Sequence, residues 1–466
     1  MTIDRDTSRW TFETDVAVVG SGGCGLTAAL AAAQDGAEVV VFEKQARPWS
    51  NTARSGGMIP AAGTRFQKAA GIEETAEDMA ADIFRKNHNT SDPQMTLHLA
   101  RTATRMVEWL VDDIGVDLVF IDDFKYPGHS QYRMHAPPSR TGSALVADLR
   151  QAVEKHAQAE LITDAAAVNL IADSDDGVQG VVVEHGSRIE RVRAKKVILA
   201  CNGFAGNKEM VAQYCPEMVN ALYFGGEANT GEGILWGIEL GAATAFMDAF
   251  QAHASVATPH GILITYALIM EGGFQVNNLG QRFGNESSGY SEQALEVLSQ
   301  PGAVAWNIYD RRLHLLGVSF DDYRQALEAG AIKKGENIEE LASELHLPPA
   351  ELAQTLTEYH HYAAGQSSDP YGRPDCQHLE PPFYGAKVTG ALFHTQGGLL
   401  VDEDGRVLRE NGKPIANLYA GGGVAAGISG HGPGGYFSGN GLLTALGYGL
   451  LAGQHASRSI RAEAIA

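Results

Sequence analysis

Short apolar runs that end in glycine recur along this chain, and the first of them lies near its start. Residues 15–19 read DVAVV, a glycine cluster and an alanine-rich stretch at 26–34 follow, and AEVVVFEK gives a second apolar run. Apolar β-branched runs of this length are typical of buried strands, and alanine-rich stretches are typical of helices. The pattern predicts a strand–turn–helix–strand unit, which is the βαβ unit of an α/β fold.

The same alternation returns at the C-terminal end, where GGLLVDEDG and NLYAGGG precede the helical run GLLTALGYGLLAGQHAS. Residues 178–200 predict two more strands, and the second of them ends at a glycine in ILACNGF. Between about 245 and 385 the chain changes to mixed strands and charged helices. We therefore expect one doubly wound α/β domain made of residues 1–244 and 386–466, with an α+β domain inserted at 245–385.

Charge and cysteine content narrow the classes of partner. The 466 residues include 35 basic and 56 acidic ones, for a formal charge of −21, and such a surface repels nucleic acid. The four cysteines are scattered without a CxxC pair, which is typical of a reducing compartment. The polar N-terminus does not resemble a signal peptide, and no apolar run is long enough to span a membrane. We expect a soluble, cytoplasmic protein.

The glycine cluster after the first strand has the spacing of a dinucleotide-binding turn. Its sequence GSGGCG places Gly20, Gly22 and Gly25 in the pattern GxGxxG. The first glycine permits a tight turn, the second lets the backbone approach a pyrophosphate, and the third lets helix and strand pack closely. Glu43 ends the next strand, where a carboxylate accepts hydrogen bonds from ribose hydroxyls, although a solvated strand end is the plainer alternative for this residue. Together these features predict a bound dinucleotide.

Further blocks, taken in chain order, resemble the flavoprotein family that contains fumarate reductases and 3-ketosteroid dehydrogenases. They are SNTARSGGM, ILACNGFAGN, ANTGEG, FQVNNLGQRFGNE, HTQGGLLVD and LYAGGGVAAGISGHGPGG. The resemblance implies FAD as the cofactor and a Rossmann-like FAD-binding domain with a cap domain. The residues that it and the glycine motif assign to the cofactor are Gly20, Gly22, Gly23, Gly25, Glu43, Lys44, Asn51, Thr52, Ser55, Gly56, Gly57, Ala200, Asn202, Gly203, Gly422, Gly423, Gly439 and Leu442.

The chain departs from the family pattern at two cofactor positions. Family members with covalent flavin carry a histidine in the loop at 50–58, and this loop has none, so we expect non-covalent FAD. The family often has a Gly-Glu pair after the strand LYA, whereas Gly422 and Gly423 stand here. The usual carboxylate contact to the ribityl chain is therefore in doubt.

The catalytic residues implied by the resemblance include tyrosines where fumarate reductases have arginines. QAHAS gives His253 and FHTQGG gives His394. After the RF-x-NE motif Tyr290 stands near the place of the acid arginine, and Tyr436 or Gly435 takes the place of the second one. A tyrosine after this motif is similar to the 3-ketosteroid dehydrogenases, where it is the base. The glycine turn HGPGG would by the same alignment supply a backbone N–H from Gly434.

Loss of both arginines argues against a dicarboxylate substrate, because arginine is the preferred bidentate partner of a carboxylate. We expect α,β-dehydrogenation of a cyclic or steroid-like ketone. Tyr290 would remove the α-proton, the β-hydrogen would leave as hydride to N5 of FAD, and the Gly434 N–H with Tyr436 or His394 would polarise the carbonyl. Two alternatives stay open: a reductase of an unsaturated acid or enone, and a flavin-binding redox sensor without turnover. The electron acceptor is unknown.

Packing roles remain open for several candidates, since buried tyrosines and histidines are common in domain interiors. This applies to Tyr290, Tyr436, His253 and His394. The long loop at 124–142 could line the substrate pocket or cross the surface, and Arg133 or Arg140 could reach in from it and restore an acid site. No metal site is expected, because no ligand cluster completes one around the loop residues His129 and His135.

Overall fold

The computed structural model describes residues 3–465 of the chain. Its strands are β1 (Phe12–Val19), β2 (Val39–Phe42), β3 (Ile59–Pro60), β4 (Val119–Ile121), β5 (Met134–Ala136), β6 (Ala159–Ile162), β7 (Ala165–Ala172), β8 (Val178–His185), β9 (Arg188–Leu199), β10 (Leu222–Tyr223), β11 (Thr244–Ala245), β12 (Phe250–Ala257), β13 (Ile262–Leu263), β14 (Phe274–Val276), β15 (Val304–Asp310), β16 (Ile332–Gly335), β17 (Phe383–Thr395), β18 (Gly398–Leu399), β19 (Arg406–Leu408) and β20 (Pro414–Ala420).

The helices are α1 (Gly23–Gln34), α2 (Asn51–Arg54), α3 (Arg65–Ala69), α4 (Ala76–Lys86), α5 (Pro93–Trp109), α6 (Gly142–Lys155), α7 (Lys208–Tyr214), α8 (Glu232–Glu239), α9 (Ala267–Met270), α10 (Tyr290–Ser299), α11 (Arg311–Val318), α12 (Asp321–Glu328), α13 (Ile338–Glu344), α14 (Pro349–Ala363) and α15 (Asn440–Ile465). A π-helical turn at Leu110–Ile114 continues α5, and short 3₁₀ turns lie at Pro216–Met218, Glu286–Ser288, Pro301–Ala303 and Gly422–Val424.

The first sheet is the parallel sheet that the apolar runs predict. Its strands follow the order β19-β20-β9-β1-β2-β6, and β1 pairs in parallel with both β2 and β9. The four residues of β2 are all buried, as expected for a strand covered on both faces. The antiparallel pair β7 and β8 extends the sheet from β9. The fold is therefore the doubly wound α/β class that the sequence predicts.

Helices α1 and α15 pack together against this sheet. Almost every residue of α1 is buried, which explains its run of alanines. A Cβ on Gly449 would lie 2.5 Å from the carbonyl oxygen of Cys24, and one on Gly453 would lie 2.3 Å from that of Ala28. The two helices approach this closely only because α15 carries glycine at both positions. The contact fixes the N-terminus of α1, where the glycine motif lies.

The second sheet belongs to the inserted part of the chain. It follows the order β13-β12-β17-β15-β14, with β10 and β16 also paired to β17. This sheet takes strands from slightly outside the predicted range 245–385, namely β10 and the last part of β17. Helix α10 packs on β12 and β17. The first turn of α10 and the ends of β12 and β17 lie where the second sheet meets the glycine loops of the first.

Candidate active site

The turn between β1 and α1 has the backbone geometry that its glycines predict. Gly20 has a φ of +105°, and a Cβ there would lie 2.6 Å from the carbonyl oxygen of Ala200. A Cβ on Gly25 would lie 1.9 Å from the carbonyl oxygen of Gly20, so only glycine fits this helix–strand contact. Gly22 precedes α1 and offers no side-chain cap. This arrangement leaves helix N-terminal amides to bind a phosphate group.

The carboxylate at the end of β2 is held in a fixed orientation. One oxygen of Glu43 accepts hydrogen bonds from the backbone N–H of Ser21 at 3.0 Å and from its hydroxyl at 2.9 Å. The other oxygen accepts from the backbone N–H of Gln45 at 2.9 Å. Glu43 borders the cavity described below, as a ribose-binding residue must. The neighbouring Lys44 also borders the cavity, and its ammonium is paired with Glu232 at 3.0 Å.

Helix α2 ties the glycine loops to the second sheet. The Asn51 side-chain amide donates to the carbonyl oxygen of Phe393 at 3.1 Å, and its oxygen accepts from the backbone N–H of Gly226 at 2.7 Å and from the amide of Asn229 at 3.0 Å. The hydroxyl of Thr52 accepts from the backbone N–H of Gly23 at 3.1 Å. The loop that resembles the family's flavin-contacting segment is therefore fixed from both sides.

Local packing explains why glycine replaces the family glutamate at position 423. Asn202 has a φ of +67°, and its side-chain oxygen accepts from the N–H of Gly203 at 2.8 Å. A Cβ on Gly423 would lie 2.2 Å from that oxygen. A glutamate at this position would collide with Asn202 in its present position, so this close contact requires glycine.

These loops enclose one continuous cavity between the two sheets. It has about 1780 Å³ of empty space including its mouth, and it extends from Glu43 to Tyr290. The amide-rich end and the size fit FAD, which needs a long cleft. Predicted residues that border it are Gly20, Gly22, Gly23, Glu43, Lys44, Asn51, Thr52, Ser55, Gly56, Ala200, Asn202, His253, Tyr290, His394, Gly422, Gly423, Tyr436, Gly439 and Leu442.

Four predicted residues lie outside the lining. Gly25 has the packing role described above. Gly57 has a φ of +68°, and a Cβ there would lie 2.9 Å from the carbonyl oxygen of Thr141. A Cβ on Gly203 would lie 2.1 Å from the Thr395 hydroxyl. These three glycines shape the wall without bordering the cavity. Gly434 lies beside Glu292 and is not among the residues that border the cavity.

Tyrosine side chains meet at the end of the cavity opposite Glu43. Tyr290 begins α10, and its ring centroid lies 6.0 Å from that of Tyr436 and 6.4 Å from that of Tyr126. His253 of β12 stacks on Tyr290 at 4.7 Å with an interplanar angle of 27°. All four side chains border the cavity. The structure thus brings together Tyr290, Tyr436 and His253, which the sequence predicted from separate motifs.

Burial keeps these phenols protonated. It raises the pKa of Tyr290 well above 10, and the nearby Tyr436 phenol acts in the same direction while Ser438 opposes it. Burial likewise raises the pKa of Tyr126 to about 12 and that of Tyr436 above its usual value. At neutral pH each phenol is a neutral hydrogen-bond donor. Such groups can bind a carbonyl oxygen, and they do not neutralise a carboxylate.

The two predicted histidines are neutral as well. Burial lowers the pKa of His253 to about 3 and that of His394 to about 4. The Gln396 side-chain nitrogen lies 2.9 Å from Nδ1 of His394, and the His394 ring lies 6.0 Å from that of Tyr436. Neither imidazole therefore supplies positive charge to the tyrosine end of the cavity.

Two arginines of the inserted region, Arg282 and Arg373, belong to a buried ion-pair network. Arg282, the arginine of the RF-x-NE motif, lies 2.7 Å from Glu286 of the same motif and 2.7 Å from Asp369. Arg373 donates to the carbonyl oxygens of Gly273 at 2.7 Å and Ile269 at 2.6 Å. The network fixes the turn that leads into α10. The motif therefore positions Tyr290 and supplies no cation to the cavity.

The loop arginines do not restore an acid site either. Arg133 is fully buried and pairs with Glu74 and, at 2.6 Å, with Asp82. Burial acts to raise the pKa of Asp82, but hydrogen bonds from Ser130 and the charge of Arg133 lower it to about 2. Arg140 pairs with Asp123 at 2.7 Å. Neither guanidinium borders the cavity, so the alternative in which Arg133 or Arg140 binds an acid substrate is not supported.

The loop at 124–142 contributes one of its tyrosines to the lining of the cavity. Tyr126 borders the cavity, whereas His129, Tyr132 and His135 do not. His129 stacks on Phe437 at 3.8 Å, and His135 lies 2.9 Å from the Thr64 hydroxyl. These histidines pack the loop against the body of the protein.

Sequence reasoning missed one cationic residue of the cavity. Arg54, the last residue of α2, borders the cavity, and its Nε is buried without a hydrogen-bond partner among the described residues. The sequence analysis weighed arginines only at the two catalytic positions and in the loop at 124–142, and it did not single out Arg54. The signal was present, since Arg54 lies within SNTARSGGM, the segment that resembles the flavin-contacting loop.

Residues 3–465 contain neither a cluster of metal-binding side chains nor a helix that could cross a membrane. No group of three or more His, Cys, Asp or Glu side chains in that range is arranged to hold a metal ion. No helix in that range is both long and apolar enough to cross a membrane.

Comparison with known proteins gives consistent matches over nearly the whole chain. A family profile described as "FAD binding domain" matches residues 15–442. The protein named "Probable fumarate reductase Ifc3" of Shewanella frigidimarina is 32% identical over 452 residues, which cover 96% of this chain and 75% of that protein.

Solved structures of both reductases and dehydrogenases share the fold. The open conformation of a flavocytochrome c3 fumarate reductase matches with a TM-score of 0.81 and 30% identity, over 96% of this chain and 79% of that one. The 3-ketosteroid-Δ4-(5α)-dehydrogenase of Rhodococcus jostii RHA1, solved with 4-androstene-3,17-dione, matches with a TM-score of 0.76 and 26% identity, over 98% of this chain and 100% of that one.

Proposed function

Because the chain belongs to the FAD-binding domain family of flavoproteins, we propose that it desaturates a ketone between its α and β carbons. It is an FAD-dependent oxidoreductase acting on CH–CH bonds, in common with fumarate reductase and steroid dehydrogenase relatives. Within that class we propose a cyclic or steroid-like ketone as the substrate and non-covalent FAD as the cofactor. The site fits FAD because the glycine turn and the N-terminus of α1 border the same long cavity.

One observation carries the choice of a ketone. Tyr126, Tyr290 and Tyr436 border one end of the cavity, while Arg282, Arg133 and Arg140 are held by carboxylates elsewhere. A dicarboxylate needs fixed cations at both ends. A ketone needs hydrogen-bond donors at its oxygen and a base at its α-carbon, and phenols provide both kinds of group.

FAD, when bound, accepts the two electrons and the hydrogen that leave the β-carbon. Tyr290 takes the proton from the α-carbon. It begins α10, and the Arg282–Glu286 pair fixes the turn that leads into this helix. The hydroxyl of Tyr436 donates a hydrogen bond to the carbonyl oxygen, which stabilises the negative charge that develops there. His253 stacks on Tyr290 and holds its ring in place. The role predicted for the Gly434 N–H stays a prediction.

The protonation state of Tyr290 determines whether a given pH favours desaturation of the ketone or reduction of the enone. Burial raises the pKa of Tyr290 well above 10, so the phenol is protonated in the free protein at neutral pH. A protonated phenol is a proton donor, which serves reduction of an enone, whereas the phenolate serves desaturation. The same residue therefore supports both directions, and desaturation is favoured as the pH rises.

A reductase of an unsaturated acid or enone is the second candidate. Arg54 favours it, because it places one guanidinium in the cavity. The match to a protein named as a fumarate reductase points the same way. A single cation suits a substrate with one carboxylate better than a dicarboxylate.

Anaerobic mixing of the purified holoenzyme with candidate substrates separates these functions. We expect cyclohexanones or 3-ketosteroids to bleach the oxidised flavin spectrum, and succinate to leave it unchanged. If succinate bleaches the flavin and no ketone does, the ketone proposal is wrong. If no compound of the panel bleaches the flavin, but fumarate or an acrylate reoxidises the reduced protein, the reductase is the correct function.

A further inference from the structure

Arg54 differs from the other charged side chains of the cavity in having no partner. Lys44 is paired with Glu232, and Glu43 accepts hydrogen bonds from Ser21 and Gln45. The Arg54 side chain has no ion-pair partner among the described residues, and its Nε is buried without a hydrogen-bond partner among them. A buried guanidinium N–H without a partner is costly, so its retention points to a ligand that pairs with it.

Arg54 ends helix α2, which lies against the wall that the second sheet contributes, because the Asn51 side chain donates to the carbonyl oxygen of Phe393 at 3.1 Å. Burial raises the pKa of Tyr223 to about 12, while a hydrogen bond with Asn229 and the positive charge of Arg54 act in the opposite direction. Helix α2, which ends at Arg54, is connected to the end of β10, because Asn229 donates to the side-chain oxygen of Asn51 at 3.0 Å and to the Tyr223 hydroxyl at 3.1 Å. The next residue, Phe224, borders the cavity, and its N–H donates to the carbonyl oxygen of Leu392 at 2.8 Å. Arg54 and Phe224 therefore border the same cavity between the two sheets.

A row of stacked rings connects this place with the catalytic tyrosine. Phe224 stacks on Phe393 at 4.9 Å, Phe393 on His253 at 5.3 Å, and His253 on Tyr290 at 4.7 Å. The row forms an apolar wall with Tyr290 at one end and the neighbourhood of Arg54 at the other. A ligand lying along it has an apolar body, a hydrogen-bonding group at the tyrosine end and a negative group at the arginine end.

We propose that Arg54 binds a carboxylate of the substrate, and that the substrate is a cyclic ketone or enone bearing that carboxylate away from its carbonyl group. This inference rests on the proposed function for the identity of the carbonyl end. It adds that Arg54 determines specificity and distinguishes acids from neutral ketones. Arginine suits the task because its planar fork matches the two oxygens of a carboxylate.

Binding of an unreactive acid tests the proposal without catalysis. The oxidised holoenzyme is titrated with cyclohexanecarboxylate and, separately, with its neutral amide, and the change in the flavin absorption spectrum gives each Kd. We expect the acid to bind about 10- to 100-fold more tightly than the amide, the range of one charge-assisted pair. In Arg54→Met the two ligands should bind equally, and Arg54→Lys should keep part of the preference.

Arg188→Met is the matched control, because Arg188 is exposed at the start of β9. It should keep the wild-type preference, and all variants should keep their FAD content. Equal binding of acid and amide by the wild-type protein would overturn the inference, and so would an unchanged preference in Arg54→Met. Loss of FAD from Arg54→Met would overturn it by making Arg54 a cofactor ligand. Ketone turnover is a separate test, since the carboxylate preference is measured without any reaction.

Discussion

The imidazole of His253 lies stacked on the phenol of Tyr290, with ring centroids 4.7 Å apart. Burial lowers the pKa of His253 to about 3, so this neighbour is neutral and does not stabilise a phenolate. The contact fixes the orientation of the Tyr290 ring, whereas the pKa of its hydroxyl is determined mainly by burial. The proposed role of Tyr290 as the base therefore predicts that turnover is sensitive to removal of the hydroxyl and to pH.

Tyr290→Phe removes the hydroxyl and keeps the ring that stacks on His253. We expect the rate of flavin reduction by a ketone to fall by about 10²- to 10⁴-fold, the usual contribution of a general base. FAD content should stay at the wild-type level because Tyr290 lies at the far end of the cavity from Glu43. Stopped-flow absorbance measures the rate. A near-wild-type rate with FAD bound would remove Tyr290 from the base role.

The rate of ketone desaturation should rise with pH. Burial raises the pKa of Tyr290 well above 10. At any pH below this pKa, the phenolate fraction therefore increases about tenfold for each unit by which the pH is raised. Stopped-flow flavin reduction between pH 6 and 9 should therefore accelerate throughout, while enone reduction, which uses the protonated phenol, should not accelerate. A desaturation rate that falls as the pH rises over this range would be inconsistent with a phenol as the base.

Denaturation of the protein should release FAD as a free, chemically unchanged molecule. The loop at 50–58 has no histidine, and Asn51 of α2 is committed to Phe393 and Gly226. Acid precipitation should release all of the yellow colour into the supernatant. Mass spectrometry of the supernatant should give the mass of free FAD. Flavin that stays with the precipitated polypeptide would disprove non-covalent attachment.

Gly25→Ala should prevent FAD binding. The added methyl group would lie 1.9 Å from the carbonyl oxygen of Gly20, so the helix N-terminus must move away from the strand. Gly36→Ala is the control, because a Cβ there meets open space and only its φ of +90° causes strain, of about 1 kcal/mol. The purified control should be yellow and the Gly25 variant colourless. Equal flavin content in both would show that this close contact is not required.

Local sequence was enough to predict the geometry of the turn between β1 and α1 and the position of Glu43 at the cavity. A tight turn, a close helix–strand contact and a carboxylate at a strand end depend on neighbours within one βαβ unit, so Gly20, Gly25 and Glu43 were recognisable from spacing. The doubly wound sheet followed from the same apolar runs. The inserted sheet was less accessible, because β10 and β17 pair across a long stretch of chain and their membership of that sheet depends on this pairing.

Long-range partners explain what the sequence did not reveal. The commitment of Arg133 to Glu74 and Asp82 depends on residues 50 or more positions away, so its absence from the cavity could not be read from the loop itself. Gly434 was placed by alignment, and its position beside Glu292 depends on the packing of α10. Arg54 was visible in a quoted motif, but its lack of a partner is evident only in three dimensions.

A single turnover followed by product analysis tests the central claim most directly. Under anaerobic conditions the oxidised holoenzyme is mixed with one equivalent of a carboxylated cyclohexanone, and flavin absorbance and product mass are measured together. We predict bleaching of the flavin and formation of an enone two mass units lighter than the ketone, in equal molar amounts. An oxidised flavin and unchanged ketone for this and for neutral ketones, across pH 6 to 9, would contradict the account.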